Sequence, residues 1–169
     1  MRITISGGTA EIAGPLSRVA AGAGLRAVQE GLTEGGDKVR TKVRKALKTQ
    51  TNPLKYATIT SRVDGLRAGM SYIIKAKGKG LPIEEFPHSA PGAVTASPWG
   101  VARTFKRSFV KAGGALMARL SRSRFPIRKL FGPSLRKELV KDQSLAAFEL
   151  GVRTDIVPAI DKRLARLIG

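Results

Sequence analysis

The chain has 169 residues, no cysteine, one histidine, and 31 Lys and Arg against 12 Asp and Glu, for a net charge of +19. That length allows a buried core in one domain, or one domain with an extended arm, and the lack of cysteine excludes disulfides, thiolate metal sites and a thiol nucleophile. So large a positive charge repels itself and calls for an anionic partner: nucleic acid, an acidic protein surface or a membrane.

The apolar fraction is an ordinary 42% but aromatics make up only 5%, which predicts an aliphatic core. No apolar run is long enough to span a bilayer. The opening MRITISGGTAEIAG lacks the apolar stretch of a secretory signal, so a cytoplasmic origin is expected.

Arg2, Ile3, Thr4 and Ile5 alternate as a short strand, Arg2–Ser6, ended by Gly7-Gly8. Pro15 opens a helical pattern on Leu16, Val19, Ala20, Ala23, Ala27 and Val28. Gly22, Gly24 and Gly31 interrupt it, each costing about 1 kcal/mol relative to alanine. Either another helix comes close there or the segment is loosely held. Gly35-Gly36 predicts a break or kink, and Asp37 caps a second helix with Val39, Val43, Ala46 and Leu47 as its apolar stripe. The chain thus divides into an N-terminal strand and glycine-rich helical arm, residues 1–36, and an α+β domain, residues 37–169.

Thr51-Asn52-Pro53 stops the second helix and starts a short one reaching Val63, with a turn at Asp64-Gly65. From Gly69 the apolar period becomes two, predicting a strand over Met70, Tyr72 and Ile74. Leu81–Pro87 reads as extended, with prolines unsuited to a central strand. Val94–Ser97 and Val101–Phe105 form a hairpin around Pro98-Trp99-Gly100. Phe109–Lys111 and Ala115–Leu120 form a second around Gly113-Gly114. Pro126 disfavours helix at Phe125, so Pro126–Leu130 adds a last extended piece. Gly132-Pro133-Ser134 turns the chain into a helix over Leu135–Lys141. Phe148, Val152, Ile156, Ile160, Leu164 and Ile168 then recur every four residues as a helix face, with a kink or restart at Pro158. The sum is an α+β chain: N-terminal helices, a central antiparallel β-sheet of about four to five strands, and C-terminal helices.

Catalytic chemistry has little to work with. His88 sits in a Pro/Gly loop with no acid beside it in sequence, which leaves no Ser/His/Asp set to place. Glu84 and Glu85 are adjacent, and on an extended chain they point to opposite faces. The glycines do not follow a strand in dinucleotide-binding spacing, and there is no phosphate-loop lysine motif. No enzymatic activity, cofactor or metal is expected. What remains is basic: residues 103–141 hold twelve Lys and Arg against one acid, Glu138. Arg103, Lys106, Arg107, Arg122, Arg124, Arg128 and Lys129 are the candidate contacts to DNA or another anionic partner. Both a nucleic acid and an acidic neighbouring protein fit. Phe105, Phe109, Phe125 and Phe131 are spaced as core residues and not as a stacking platform. Trp99 at a hairpin tip is either an interface anchor or folded back on its sheet.

The run Pro126-Ile127, Leu130-Phe131, Gly132-Pro133-Ser134 resembles the late signature of the prophage minor tail protein Z family. Ala96-Ser97-Pro98-Trp99-Gly100, followed by Arg103-Thr104-Phe105-Lys106 and Ser108-Phe109-Val110, resembles that family's hairpin. The resemblance runs from about Lys42 to Gly169 and rests on the order and spacing of its motifs. It implies a structural virion protein of a tailed bacteriophage. Such a protein completes the tail at its head-proximal end, in the neck and head-tail joining region through which DNA passes. It further implies a homohexameric ring, tail-tube, terminator or connector proteins as neighbours, double-stranded DNA in the lumen, and no membrane partner. The chain would be made in the host bacterial cytoplasm and reside in the virion. On this reading Phe86 and Trp99 meet neighbouring subunits. Charge alone supports an alternative, a sequence-independent nucleic-acid-binding protein of the bacterial cytoplasm. The last helix is amphipathic, but Glu149, Asp155 and Asp161 on its polar face disfavour a membrane surface.

Overall fold

A computed structural model of the chain describes residues 2–4 and 17–168. The fold is α+β, with antiparallel sheets between helices. Its opening elements are strand β1 (Arg2–Thr4) and helix α1 (Ser17–Thr51). The expected end of the first strand at Gly7-Gly8 and the helix opening at Pro15 lie outside the described residues. The chain forms two compact units. Unit 1 draws on Met1–Val43, Asp64–Lys75 and Leu145–Gly169, and unit 2 on Arg44–Val63 and Ala76–Ser144.

The predicted break at Gly35-Gly36 does not occur, because α1 continues through it for 35 residues. The reason is tertiary. A side-chain carbon on Gly31 would lie 2.7 Å from the Ile160 Cα, and one on Gly35 would lie 2.6 Å from the Ile156 Cα. Glycine therefore lets α1 meet the backbone of the C-terminal helix directly, and that packing outweighs its poor helix propensity. Asp37 is accordingly not a helix cap. It sits within α1, where its carboxylate accepts a 2.5 Å bond from the Tyr72 hydroxyl and pairs with Arg40 at 3.2 Å.

Tyr72 lies on β3 (Ser71–Ala76), which pairs with β1 on one side and β2 (Val63–Ala68) on the other. The Tyr72 ring fills the space a side chain on Gly36 would take, and its hydroxyl does the same at Gly65. Asp64-Gly65 is thus inside a strand and not a turn. The chain reverses at Gly69, whose φ of +59° suits glycine. Leu32, Val39, Val43, Ile74 and Ile156 complete the buried core of unit 1.

The C-terminal helix comprises α4 (Asp142–Gly151), one π turn (Val152–Ile156) and α5 (Val157–Ile168). The interruption expected at Pro158 takes this form. Pro158 has no N–H for the carbonyl four residues back, and the Val157 N–H bonds instead to the Val152 carbonyl, five residues back. The π turn also serves the apolar stripe. At 3.6 residues per turn, a four-residue repeat drifts by about 40° per step. The extra residue in the turn rotates it back. Arg163 on α5 reaches α1 with both arms, 2.8 Å from Glu30 and 3.1 Å from Glu34, while Lys42 pairs with Asp155 at 2.5 Å.

In unit 2 the strands are short, and the expected central sheet is replaced by separate three-stranded sheets. One joins β4 (His88–Ser89), β5 (Thr95–Ala96) and β6 (Arg103–Thr104). The other joins β7 (Ser108–Val110), β8 (Leu116–Arg119) and β9 (Ile127–Lys129). Pro82, Pro87, Pro91 and Pro98 lie between potential strands, and none can donate to a ladder. Leu81–Pro87 is not extended throughout: Ile83–Glu85 is a 3-10 turn, which brings Ile83 and Phe86 to the same side. The helix from Pro53 is only α2 (Tyr56–Thr60), and α3 (Leu135–Glu138) is shorter than the Leu135–Lys141 expected. Both predicted hairpins are present, as is the extended piece after Pro126. The Gly-Pro-Ser stretch is pinned to the 3-10 turn's entry: Gly132 N–H donates to the Leu81 carbonyl at 2.7 Å, and Leu81 N–H to the Pro133 carbonyl at 2.9 Å.

Two outcomes follow for unit 1. Gly35→Ala should lower stability by about 1–3 kcal/mol through overpacking. Gly22→Ala, with nothing within 4 Å of the added carbon, should raise it by up to about 1 kcal/mol. Thermal unfolding followed by circular dichroism reads the opposite signs. Second, Lys38 and then Arg163 hold the Glu34 carboxyl below its ordinary range. A depressed folded value gives stability that is complete above the unfolded value and is lost as pH falls through the folded one. Glu34→Gln should therefore lower the urea midpoint at neutral pH, with the two proteins converging in acid.

Candidate anionic-partner surface

Unit 2 contains 19 Lys and Arg against 4 Asp and Glu, so +15 of the +19 net charge lies on it. Three of its four carboxylates are engaged within the unit. Glu84 accepts the Leu116 N–H at 2.9 Å and lies 3.4 Å from Lys129. Glu85 accepts the Thr58 hydroxyl at 2.7 Å. Glu138 is buried and accepts the Gln50 amide at 2.8 Å. Glu84 and Glu85 are therefore half-buried anchors of the 3-10 turn and not the solvated pair that an extended chain would carry.

The seven candidate cations are all exposed. Arg103 is on β6, opposite Ala96. Lys106 and Arg107 form the turn from β6 to β7, where Arg107 has φ of 57° and its carbonyl accepts the Arg119 N–H. Arg122 and Arg124 occupy the β8–β9 hairpin tip, and Arg128 and Lys129 are on β9. The structure thus gathers them on consecutive hairpins of one unit. Lys129 has Glu84 as a partner; among the described residues the other six have no carboxylate within ion-pair distance.

The register of β7–β8–β9 sorts its two faces. Val110↔Leu116 and Ser108↔Ala118 share a face with Leu130, and Ser108, Leu116, Ala118 and Leu130 are buried. The alternate residues Phe109, Met117, Arg119, Ile127 and Lys129 share the other face, which is open to solvent. On it the Arg119 guanidinium stands 5.2 Å from the centre of the Phe109 ring. Arg103 lies over Trp99 at 5.3 Å and Arg124 over Phe125 at 5.7 Å. Such pairs hold a cation at an apolar surface without neutralising it.

Two of the four phenylalanines expected in the core are exposed. Phe125 is 64% and Phe131 53% exposed, so neither is a core residue, while Phe105 and Phe109 are half-buried. Phe125 falls at a tip between two short strands, where no layer covers it. Phe86, expected at a neighbour contact, is fully buried beneath Gly132, where an added side-chain carbon would lie 2.9 Å from its ring. Trp99 remains available at 38% exposure, in a turn where its φ is 58°. A left-handed backbone is uncommon for a bulky residue. Leu120, Arg119 and Phe125 were not among the candidates. The alternation of β8, with Ala118 inward and Arg119 outward, is the signal that marks Arg119.

His88 is exposed, with Nδ1 2.8 Å from the Phe86 carbonyl oxygen. Among the described residues no group of three or more His, Asp or Glu is placed to hold a metal ion, and no helix is long and apolar enough to cross a membrane. Comparison with protein-family models, curated proteins and solved structures found no match.

The burial difference gives a direct test. Phe86→Ala should destabilise the protein by about 3–5 kcal/mol, whereas Trp99→Ala should change stability by less than about 1 kcal/mol. Urea unfolding of the two variants distinguishes a core residue from a surface one.

Proposed function

We propose that the chain is a structural, non-catalytic virion protein of a tailed bacteriophage, completing the tail at its head-proximal end in the neck region. The ordered resemblance from Ala96-Ser97-Pro98-Trp99-Gly100 to Gly132-Pro133-Ser134 supports this reading. The observation that carries the role of the surface is the charge of unit 2: three of its four carboxylates bond within their own unit while the seven candidate cations face out. A subunit of this kind is repelled by copies of its own basic face, so that face turns to an acidic neighbour or to DNA. In the proposed assembly the chain forms a homohexameric ring, tail-tube, terminator or connector proteins abut it, and DNA passes through the lumen. Trp99 is the aromatic anchor toward a neighbour; Phe86 supports the fold.

The exposed pairs Arg124–Phe125 and Arg103–Trp99 favour a second reading, a sequence-independent nucleic-acid-binding protein of the bacterial cytoplasm. Deletion of the gene from its parent phage separates the two. Unattached tails, tails of wrong length, or joined but non-infectious particles in electron micrographs support tail completion. Normal particles at wild-type titre overturn it.

A further inference from the structure

The β8–β9 hairpin ends in a tip that phosphate neutralisation alone does not explain. Residues 120–126 form it, closed by a 3.1 Å bond from the Leu120 N–H to the Pro126 carbonyl. Within it Leu120 is 52% and Phe125 64% exposed, beside the exposed Arg122 and Arg124. Arg119 and Arg128 stand at its base on the two strands, and both are exposed. Residues 86–137 contain no Asp or Glu at all. The tip carries Leu120 and Phe125 beside its closing pair and Arg122 and Arg124 around its end.

We propose that this tip contacts duplex DNA through the minor groove, with Phe125 as a wedge between base pairs and Arg122 and Arg124 on the flanking phosphates. The proposal deepens the reading above by naming the partner of the basic surface, and it rests on that surface meeting an anion. Charge complementarity calls for an anionic partner, and all four cations of the tip and its base are arginine, whose planar fork matches phosphate oxygens in pairs. The apolar residues supply what an electrostatic contact lacks. Proteins that bend DNA insert such side chains at a base step and recover the unstacking energy by wrapping more surface. The polar residues between the arginines are serines, and the Ser123 N–H bonds to the Ser121 hydroxyl. The tip holds no asparagine or glutamine to read base edges, so the contact is indifferent to sequence.

The test uses the full chain and a short mixed-sequence duplex with a fluorophore at each end. Anisotropy gives affinity from about 50 to 200 mM salt, where the log–log slope falls by about 0.9 per phosphate neutralised. Energy transfer between the two fluorophores gives the bend. The wild type should bind with a steep slope and bring the duplex ends closer. The Arg122→Ala/Arg124→Ala variant should flatten the slope by about 2. Phe125→Ala should leave the slope unchanged, abolish most of the bend and weaken affinity several-fold. All three side chains are exposed, and unchanged thermal unfolding verifies that the variants are folded. The proposal fails if the wild type does not bind duplex at the lowest salt, if it prefers an equivalent single strand, or if slope and bend ignore the tip substitutions. A tail defect on gene deletion together with absent duplex binding leaves the tail reading standing and removes this one. Normal phage together with tip-dependent bending does the reverse.

Discussion

Unit 1 depends on side chains that are not there. Gly31 and Gly35 bring two helix backbones into contact, Gly36 and Gly65 form the socket of Tyr72, and Gly151 makes room for Val39. Each adds backbone entropy to the unfolded chain, so helix propensity argues against four of them and strand propensity against Gly65. Close packing of Ile156, Ile160 and the Tyr72 ring offsets that loss. The ion pairs of Arg163 and Lys42 decorate this contact at its exposed margin and contribute little by comparison.

Unit 2 solves a different problem. A short chain with so few carboxylates must still bury polar backbone in turns and hairpin ends. It places Glu84 on the Leu116 N–H, Glu85 on the Thr58 hydroxyl, and Glu138 on the Gln50 amide. Acids that could have screened the outer surface are thereby committed to internal hydrogen bonds. The positive surface and the internal order of the unit are two results of one distribution of carboxylates.

The fold class was legible because turn chemistry is local. Pro98-Trp99-Gly100 and Gly113-Gly114 marked their hairpins correctly, and the period of two marked β3. The exposed cations were legible too, since arginine and lysine rarely bury without a partner. The failures concern distant partners. Gly35-Gly36 looks like a break until Ile156 and Tyr72 are seen against it. Four phenylalanines at core-like spacing carry no sign of which will find a covering layer, and Phe125 and Phe131 do not. Phe86 reads as part of an extended, partner-facing segment. The 3-10 turn before it, fixed by Glu84 and Glu85, faces it inward.

The order of segments along the chain has a consequence for synthesis. Unit 2 lies between residues 44 and 144, whereas unit 1 needs Leu145–Gly169 to close over α1. Domains commonly fold from the N-terminus as they emerge from the ribosome. Here the order is inverted: the first helix must wait, with its glycine face bare, until the π turn and α5 are made. The basic unit is made in full first, while unit 1 is still unfinished.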